Sequence, residues 1–222
     1  MNSNNKILVI AVHPDDETLG CGGTLLKHKE KGDEIHWLIC TTLDKNDAYF
    51  LKREAEIKQT AEEYQFNSVH NLRLKTMRVD EYSMSDLVSK ISNVINEIKP
   101  NVIYLPFKSD VHSDHRYIFE ASYSCTKSFR YPFIKKIYMM ETLSETDFAL
   151  STKEDSFVPN VFVDISKFID KKLKIMRFFE SEIAPHPFPR SERCIKAQAT
   201  LRGASAGCES AESFMLLKEI DT

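Results

Sequence analysis

The feature that most constrains the fold of this chain is the apolar run ILVIAV, residues 7–12, which stops at a histidine, a proline and three consecutive acidic residues. Six apolar residues bounded by polar ones are typical of a strand buried on both faces, as in a parallel sheet covered by helices. Pro14 cannot donate to a sheet ladder, so we expect the strand to end at about His13 and a helix to follow from about Thr18.

The acidic residues after this strand exceed what a helix start requires. One aspartate, Asp15 or Asp16, would serve as the N-cap. Adjacent carboxylates repel one another unless a cation or solvent relieves them, and His13 stands beside them at the strand exit. The cluster therefore leaves two interpretations open, a capped helix and a metal or catalytic site.

A second polar cluster follows a second apolar run. Residues 101–107 (NVIYLPF) predict another buried strand, and the tetrapeptide HSDH, residues 112–115, comes shortly after it. Imidazole nitrogens and carboxylate oxygens suit zinc and other divalent first-row metals, and a catalytic zinc typically takes three protein ligands and a water. His13, Asp16 and one histidine of the tetrapeptide would form such a set.

Alternating strand and helix patterns make residues 7–12 the first strand and residues 101–107 the fourth. In the doubly wound order 3-2-1-4-5 these strands are neighbours, and the reversal of strand order between them opens a crevice. We therefore expect a Rossmann-like, doubly wound, mostly parallel sheet flanked by helices in three layers (αβα). A single domain over residues 1–222 is expected, because no composition break or linker divides the chain.

The remaining patterns predict the other elements. Further strands are expected at residues 34–41, 69–74, 133–140 and 160–165, and helices at 18–31, 48–64, 84–99, 115–129, 167–182 and 191–203. Gly32 suits the end of the first helix, and Ser166 suits the cap of the fifth. The glycines at positions 20, 22 and 23 do not form a nucleotide-binding fingerprint, because polar residues occupy the turn after the strand. We expect them to allow close packing.

The composition limits the kinds of partner and the cellular location that we expect for this chain. The net charge is −3, from 30 basic and 33 acidic residues that are interspersed, so no broad basic face for nucleic acid is expected. The sequence contains no apolar stretch of about 18 residues, so no transmembrane segment is predicted. The five cysteines are widely spaced without a Cys-x-x-Cys pair, which favours reduced thiols in a cytoplasmic protein. The Cys21 side chain, which lies between two glycines, is expected to be a small buried group rather than a metal ligand or a nucleophile.

The AVHPDDE stretch with the glycines of LGCGG, followed by HSDH, resembles the two signature motifs of the PIG-L, or LmbE-like, family of metal-dependent N-acetyl-sugar deacetylases. Arg53 with Glu56 looks like the family's Arg-x-x-Glu, and LRGASAGCESAESF resembles its closing pattern, so the resemblance spans most of the chain. Two departures stand out. Ser113 replaces the usual proline, and TTLDKND lacks the common Asp-Gly turn, which weakens the identification of the substrate.

The resemblance implies a zinc site, with Fe²⁺ as the alternative metal, whose ligands are His13, Asp16 and His115. It also implies that Asp15 is the general base of an amide hydrolysis. His112, kept charged and oriented by Asp114, would stabilise the oxyanion. Arg53 would lie near the substrate or product carboxylate, since a guanidinium can bind a carboxylate through two parallel hydrogen bonds.

Three functions are compatible with this set of residues. The first is a zinc-dependent deacetylase that acts on an N-acetylglucosamine-type amino sugar or its conjugate. The second is a hydrolase of another amide, such as a thiol conjugate or a natural-product intermediate, at the same site. The third, a non-enzymatic metal- or sugar-binding module, would need no general base, and the complete acidic and imidazole set argues against it. A small amino sugar is the expected partner, and a homo-oligomer is compatible with the sequence.

Overall fold

The computed structural model describes residues 4–221. Its strands are β1 (Lys6–Ala11), β2 (Glu34–Thr42), β3 (Ser68–Lys75), β4 (Val102–Leu105), β5 (Lys136–Met140), β6 (Val161–Asp164) and β7 (Ala211–Glu219). Its α-helices are α1 (Asp16–Glu30), α2 (Phe50–Tyr64), α3 (Met84–Ile98), α4 (Ser113–Ser124), α5 (Ile169–Met176) and α6 (Glu192–Ala206). Short 3₁₀ turns lie at Val79–Glu81 and Glu180–Glu182. Within residues 4–221, no helix combines the length and the apolar character needed to cross a bilayer.

The seven strands form one sheet in the order β3-β2-β1-β4-β5-β7-β6. β1 pairs in parallel with β2 on one side and with β4 on the other, and β5 is parallel to β4. The doubly wound order 3-2-1-4-5 expected from the sequence is confirmed, and it places the ends of β1 and β4 next to each other. β7 is antiparallel to both β5 and β6, and the sequence patterns did not predict this strand.

The core lies on both faces of the sheet, which is why β1 is apolar throughout. Ile7, Val9 and Ala11 belong to one buried cluster, and the alternating residues Leu8 and Ile10 belong to the other. Successive side chains of a strand point to opposite faces, so a continuous apolar run requires a helix layer on each side. The three-layer expectation is confirmed.

The largest boundary difference is in the fifth helix. The sequence predicted a helix over residues 167–182 with a cap at Ser166, whereas α5 covers only Ile169–Met176. The Ser166 hydroxyl donates to Asp164 Oδ1 at 2.6 Å instead of capping the helix, and Phe168 occupies the N-cap position. Beyond α5 the chain turns inward, and Phe179 becomes fully buried in the core. The Ser166 cap prediction is therefore wrong.

Helix α1 is interrupted at Cys21, and a carboxylate that is distant in sequence accepts hydrogen bonds from the backbone after the interruption. Cys21 has φ −146° and ψ 20°, which is not helical. The freed backbone N–H groups of Gly23 and Thr24 donate to the Glu212 carboxylate at 2.8 and 2.7 Å, and Lys172 Nζ donates to the same carboxylate at 2.7 Å. Glu212 thus caps the second part of α1, where unsatisfied N–H groups favour a negative charge.

The glycines of α1 serve packing. A Cβ at Gly22 would lie 2.5 Å from Tyr64 Oη, and a Cβ at Gly23 would lie 2.7 Å from Ile165 Cβ. Neither distance leaves room for a side chain, so the close-packing interpretation of these glycines is confirmed. Cys21 beside them is fully buried.

Candidate metal centre and active site

The turn between β1 and α1 has a strained backbone. Asp15 has φ 135°, a conformation that residues other than glycine rarely adopt and that is found most often at functional sites. Asp15 stands at the N-cap position of α1, yet its side chain makes no capping bond. Asp16 Oδ2 accepts instead from the His13 backbone N–H at 2.8 Å. The capped-helix interpretation of these carboxylates is therefore wrong.

This turn and the start of α4 bring three ligand atoms together. His115 Nε2 lies 3.3 Å from His13 Nδ1 and 3.3 Å from Asp16 Oδ2, and His13 Nδ1 lies 3.8 Å from Asp16 Oδ2. A tetrahedral zinc with ligand bonds of about 2.0–2.1 Å separates its donor atoms by about 3.3 Å. The spacing and chemistry of the three donors fit a divalent metal ion.

The charges around these donors also favour a cation. Burial acts to raise the pKa of Asp16, but His115 and His13 hold it well below its usual range. Burial acts to lower the pKa of His115, but Asp16 and Asp110 raise it well above its usual range. A metal ion would supply positive charge at the same place.

Two further carboxylates orient the imidazoles. Asp110 Oδ2 lies 2.8 Å from His115 Nδ1. Asp114 Oδ2 lies 3.5 Å from His13 Nε2, and the same carboxylate accepts from the backbone N–H groups of Met77 and Val79. Carboxylates behind ligating imidazoles fix the ring orientation and the tautomer. The Asp114 carboxylate therefore faces His13 rather than His112, to which the sequence interpretation assigned it.

His112 is held as a neutral ring. Its Nδ1 accepts from the Asp114 backbone N–H at 3.1 Å, so the ring proton resides on Nε2. Burial, together with the neighbouring His13, lowers the pKa of His112 to about 4. The expectation of a charged His112 is not met, but the ring still presents an N–H donor.

Asp15 is buried beside the ligand set. Burial raises its pKa to about 8, against the lowering effect of the adjacent Arg190. Arg190 Nη1 donates to Asp15 Oδ2 at 2.9 Å, and Asp15 Oδ1 is buried without a hydrogen-bond partner in the described part of the chain. One oxygen of this carboxylate is therefore available to accept a proton.

Arg53 is engaged by the protein. It donates to the Pro14 carbonyl at 2.9 Å and to Glu182 Oε1 at 2.5 Å, and its Nε lies 3.2 Å from Glu56 Oε2. These bonds occupy Nη1 and Nη2 and hold the turn at Pro14. The expected role of Arg53 beside a substrate carboxylate stays a prediction.

A cavity of about 290 Å³ opens next to these groups. Its lining residues are His13, Pro14, Asp15, Thr41, Thr42, Leu43, Arg53, Thr76, Met77, His112, Glu145, Glu182 and Arg190. Sequence reasoning missed Arg190, Glu145 and Glu182. The cavity is large enough for a small polar molecule, and it exposes that molecule to Asp15 and His112.

Comparison with known proteins agrees with this architecture. The PIG-L family, described as GlcNAc-PI de-N-acetylase, matches residues 8–126, more than half of the 222 residues. A diacetylchitobiose deacetylase of Thermococcus kodakarensis is 24% identical over 230 residues, which cover 99% of this chain and 85% of the relative.

Two solved structures share the fold. N,N'-diacetylchitobiose deacetylase from Pyrococcus horikoshii has a TM-score of 0.75 at 20% identity and covers 96% of this chain and 84% of its own. The 4-carboxy-2-hydroxymuconate hydratase GalB from Pseudomonas putida KT2440 has a TM-score of 0.76 at 15% identity and covers 98% of each chain. A protein named as a deacetylase and one named as a hydratase thus share this fold. The reaction must therefore be argued from the residues of the site.

The fold and the site define an α/β protein with a His/Asp cluster, able to hold a metal ion, at the carboxyl ends of its parallel strands. The chain belongs to the PIG-L family. The resemblance carried by AVHPDDE and HSDH is confirmed.

Proposed function

We propose that this protein is a metal-dependent hydrolase that removes the N-acetyl group from an N-acetylglucosamine-type amino sugar or its conjugate. The observation that carries the proposal is a free, buried Asp15 Oδ1 in a cavity that is also lined by His13, one donor of the three-donor His/Asp cluster. The similarity over the whole chain to a diacetylchitobiose deacetylase supports the amino-sugar substrate. The five free cysteines support a cytoplasmic location.

In the proposed site, His13, Asp16 and His115 hold the metal, with Zn²⁺ as the first choice and Fe²⁺ as the alternative. When bound, such a metal supplies Lewis-acid activation of water and of the acetyl carbonyl. Asp15 in its ionised form, whose share grows as the pH rises towards its pKa of about 8, then accepts a proton from the attacking water through Oδ1. The same carboxyl group carries that proton to the departing amine, so one residue serves as base and then as acid.

His112 stabilises the negative charge that develops on the carbonyl oxygen. Its Nε2–H is the donor because Nδ1 is occupied by the Asp114 backbone. A neutral imidazole suffices for this task, since a fixed donor in a buried site needs no reorganisation when the charge develops. Arg53 holds the Pro14 carbonyl and thereby the turn that presents Asp15.

A second candidate is hydrolysis of another amide at the same site. The hydratase GalB shows that this fold occurs with a different substrate chemistry, and the cavity by itself does not select a sugar. A binding module without catalysis would not require the free Asp15 oxygen.

The test is acetate release by the zinc-reconstituted protein from a panel of N-acetylamino sugars and their conjugates. Asp15→Asn is expected to lower turnover by about 10²- to 10⁴-fold, the usual contribution of a general acid–base group, and to retain one metal ion per chain. Asp33→Asn is the matched control, because Asp33 is also a buried aspartate but pairs with His28 away from the cavity. A parallel reconstitution with Fe²⁺ compares the two metals.

Three results would contradict parts of this proposal. Loss of metal in Asp15→Asn would make Asp15 a ligand. Acetate release that resists chelators would exclude the metal-dependent reaction. Absence of release from every sugar, with one metal bound, would shift the assignment to another amide or to binding.

A further inference from the structure

Arg190 is the most heavily engaged side chain of the cavity. Its Nη1 donates to Asp15 Oδ2 and to Glu182 Oε2, each at 2.9 Å. Its Nε donates to Ser144 Oγ at 2.6 Å, and its Nη2 donates to Glu145 Oε1 at 3.3 Å. One guanidinium thus joins three segments of the chain that are distant in sequence.

The backbone that carries Arg190 is anchored on its carboxyl side. Ser191 is buried, and its backbone N–H donates to the Phe188 carbonyl at 3.0 Å. The Ser191 side chain caps α6 by accepting from the Cys194 N–H at 3.3 Å. Because the next residue is fixed in this way, Arg190 extends into the cavity from a defined point.

We propose that Arg190 is a positioning residue that binds Asp15 Oδ2 and so leaves Oδ1 as the oxygen that takes the proton. This inference rests on the proposed function of Asp15 as the general base. The two oxygens of a free carboxylate are equivalent, and rotation about the side-chain torsions exchanges them. A guanidinium at 2.9 Å from one oxygen removes that freedom.

Arg190 also separates charges that would otherwise repel. The carboxylates of Asp15, Glu182 and Glu145 all lie within 3.3 Å of its nitrogens. Without the guanidinium these three acids would face one another in a half-enclosed cavity, where like charges interact strongly. Removal of Arg190 is therefore expected to turn Asp15 away from its position rather than to leave it in place.

A direct contact of Arg190 with substrate is the competing role. A guanidinium has five N–H donors, and four hydrogen bonds to the protein are already present. Little donor capacity is left for a ligand. A positioning role predicts a loss in kcat with a nearly constant KM, whereas substrate binding predicts a higher KM.

The experiment compares wild type, Arg190→Ala, Arg190→Lys and the control Arg202→Ala in steady-state acetate release. Arg202 is the matched control because it forms a bidentate pair with Glu141 at a similar exposure, 22% against 16% for Arg190, and does not line the cavity. We expect Arg190→Ala to lower kcat by about 10²-fold, the scale of a small misplacement of a catalytic group, with KM changed less than about threefold. The kcat of Arg190→Lys, which keeps a charge without the planar fork, should lie between that of wild type and that of Arg190→Ala.

Added guanidinium ion gives two further readouts, rescue of kcat and a shift of the thermal midpoint, and the second does not require turnover. At low millimolar concentration it should restore at least about tenfold of the lost kcat in Arg190→Ala, by occupying the vacated position. It should also raise the thermal midpoint of metal-free Arg190→Ala over a sodium chloride control, and raise it less in Arg190→Ala combined with Asp15→Asn. Arg202→Ala should show neither effect.

The outcomes separate the two proposals. An active wild type with a nearly unchanged kcat in Arg190→Ala, or with a change confined to KM, overturns the positioning role and leaves the deacetylase function in place. The absence of any guanidinium effect on the midpoint of Arg190→Ala likewise overturns it. A wild type that is inactive on every sugar overturns the proposed function, and with it the role of Arg190 toward a catalytic base.

Discussion

Among the three proposed ligands, His115 is the one whose orientation depends most directly on a single side chain. Asp110 Oδ2 lies 2.8 Å from His115 Nδ1, and Asp110 Oδ1 accepts from Thr146 Oγ1 at 2.6 Å. Both residues of the pair are fully buried. The Thr146 hydroxyl fixes the carboxylate, the carboxylate fixes the ring, and the ring directs Nε2 at the other donors.

Replacement of Asp110 by alanine is expected to lower metal affinity by about 10- to 100-fold, the usual effect of removing a group that orients a ligand. Competition between the protein and a chromogenic chelator measures this directly. Asp155→Ala, which removes an acceptor for Ser109 and Thr152 outside the ligand set, should bind metal like the wild type. An unchanged affinity in Asp110→Ala would show that packing alone orients His115.

Residue chemistry in the sequence was sufficient to group His13 and Asp16 with one histidine of HSDH, because both clusters follow predicted strands and parallel strands end at one edge. The choice of His115 came from the family resemblance. Residue chemistry was not sufficient for Arg190. That guanidinium meets Asp15 from 175 positions away, and a charged residue after a proline-rich stretch is indistinguishable from a surface arginine. The role of Asp114 was also out of reach, because it depends on which of two adjacent imidazoles its carboxylate faces.

At the scale of elements, α1 is the helix whose sequence is most restricted by its neighbours. A Cβ at Gly22 would meet Tyr64 Oη at 2.5 Å, while its next contacts are at 3.4 Å or beyond. Alanine is the better helix former by about 1 kcal/mol, so the glycine is explained by the hydroxyl of α2 and not by helix propensity.

Gly22→Ala is therefore expected to destabilise the protein by about 1–3 kcal/mol, the range of overpacked cores. In a Tyr64→Phe background the obstructing oxygen is absent, and the same substitution should be neutral or stabilising. Tyr64→Phe alone loses its bond to Thr18 Oγ1, which costs about 1 kcal/mol. Urea midpoints of the four proteins give the coupling energy, and simple additivity of the two changes would contradict the explanation.

Strands and helices with clear periodicity were predicted to within a few residues, and β7 was missed. β7 is antiparallel in an otherwise largely parallel sheet, and its burial falls from complete at Ala211–Phe214 to partial beyond it. A strand buried at one end only has neither a continuous apolar run nor a clean alternation. Its best signal was the closing motif of the family resemblance, which contains Glu212.

At the scale of the whole molecule, we propose that residues 4–221 form one cooperative domain, because all seven strands join a single sheet. Urea unfolding of the metal-free protein should then give the same midpoint by far-ultraviolet circular dichroism and by fluorescence of Trp37, the one tryptophan of the chain. Trp37 is fully buried in β2, close to one edge of the sheet. Two separate midpoints would indicate that the β5-β7-β6 side unfolds on its own.

The contact between Glu212 of β7 and the backbone of α1 has a consequence for folding during biosynthesis. Glu212 satisfies backbone groups 188 and 189 positions earlier, next to the turn that presents the proposed ligands. A ribosome-bound nascent chain that contains all three of those ligands still lacks this partner, and Lys172 then has no counter-charge in the core. We therefore expect the proposed metal centre to be completed only once β7 has joined the sheet.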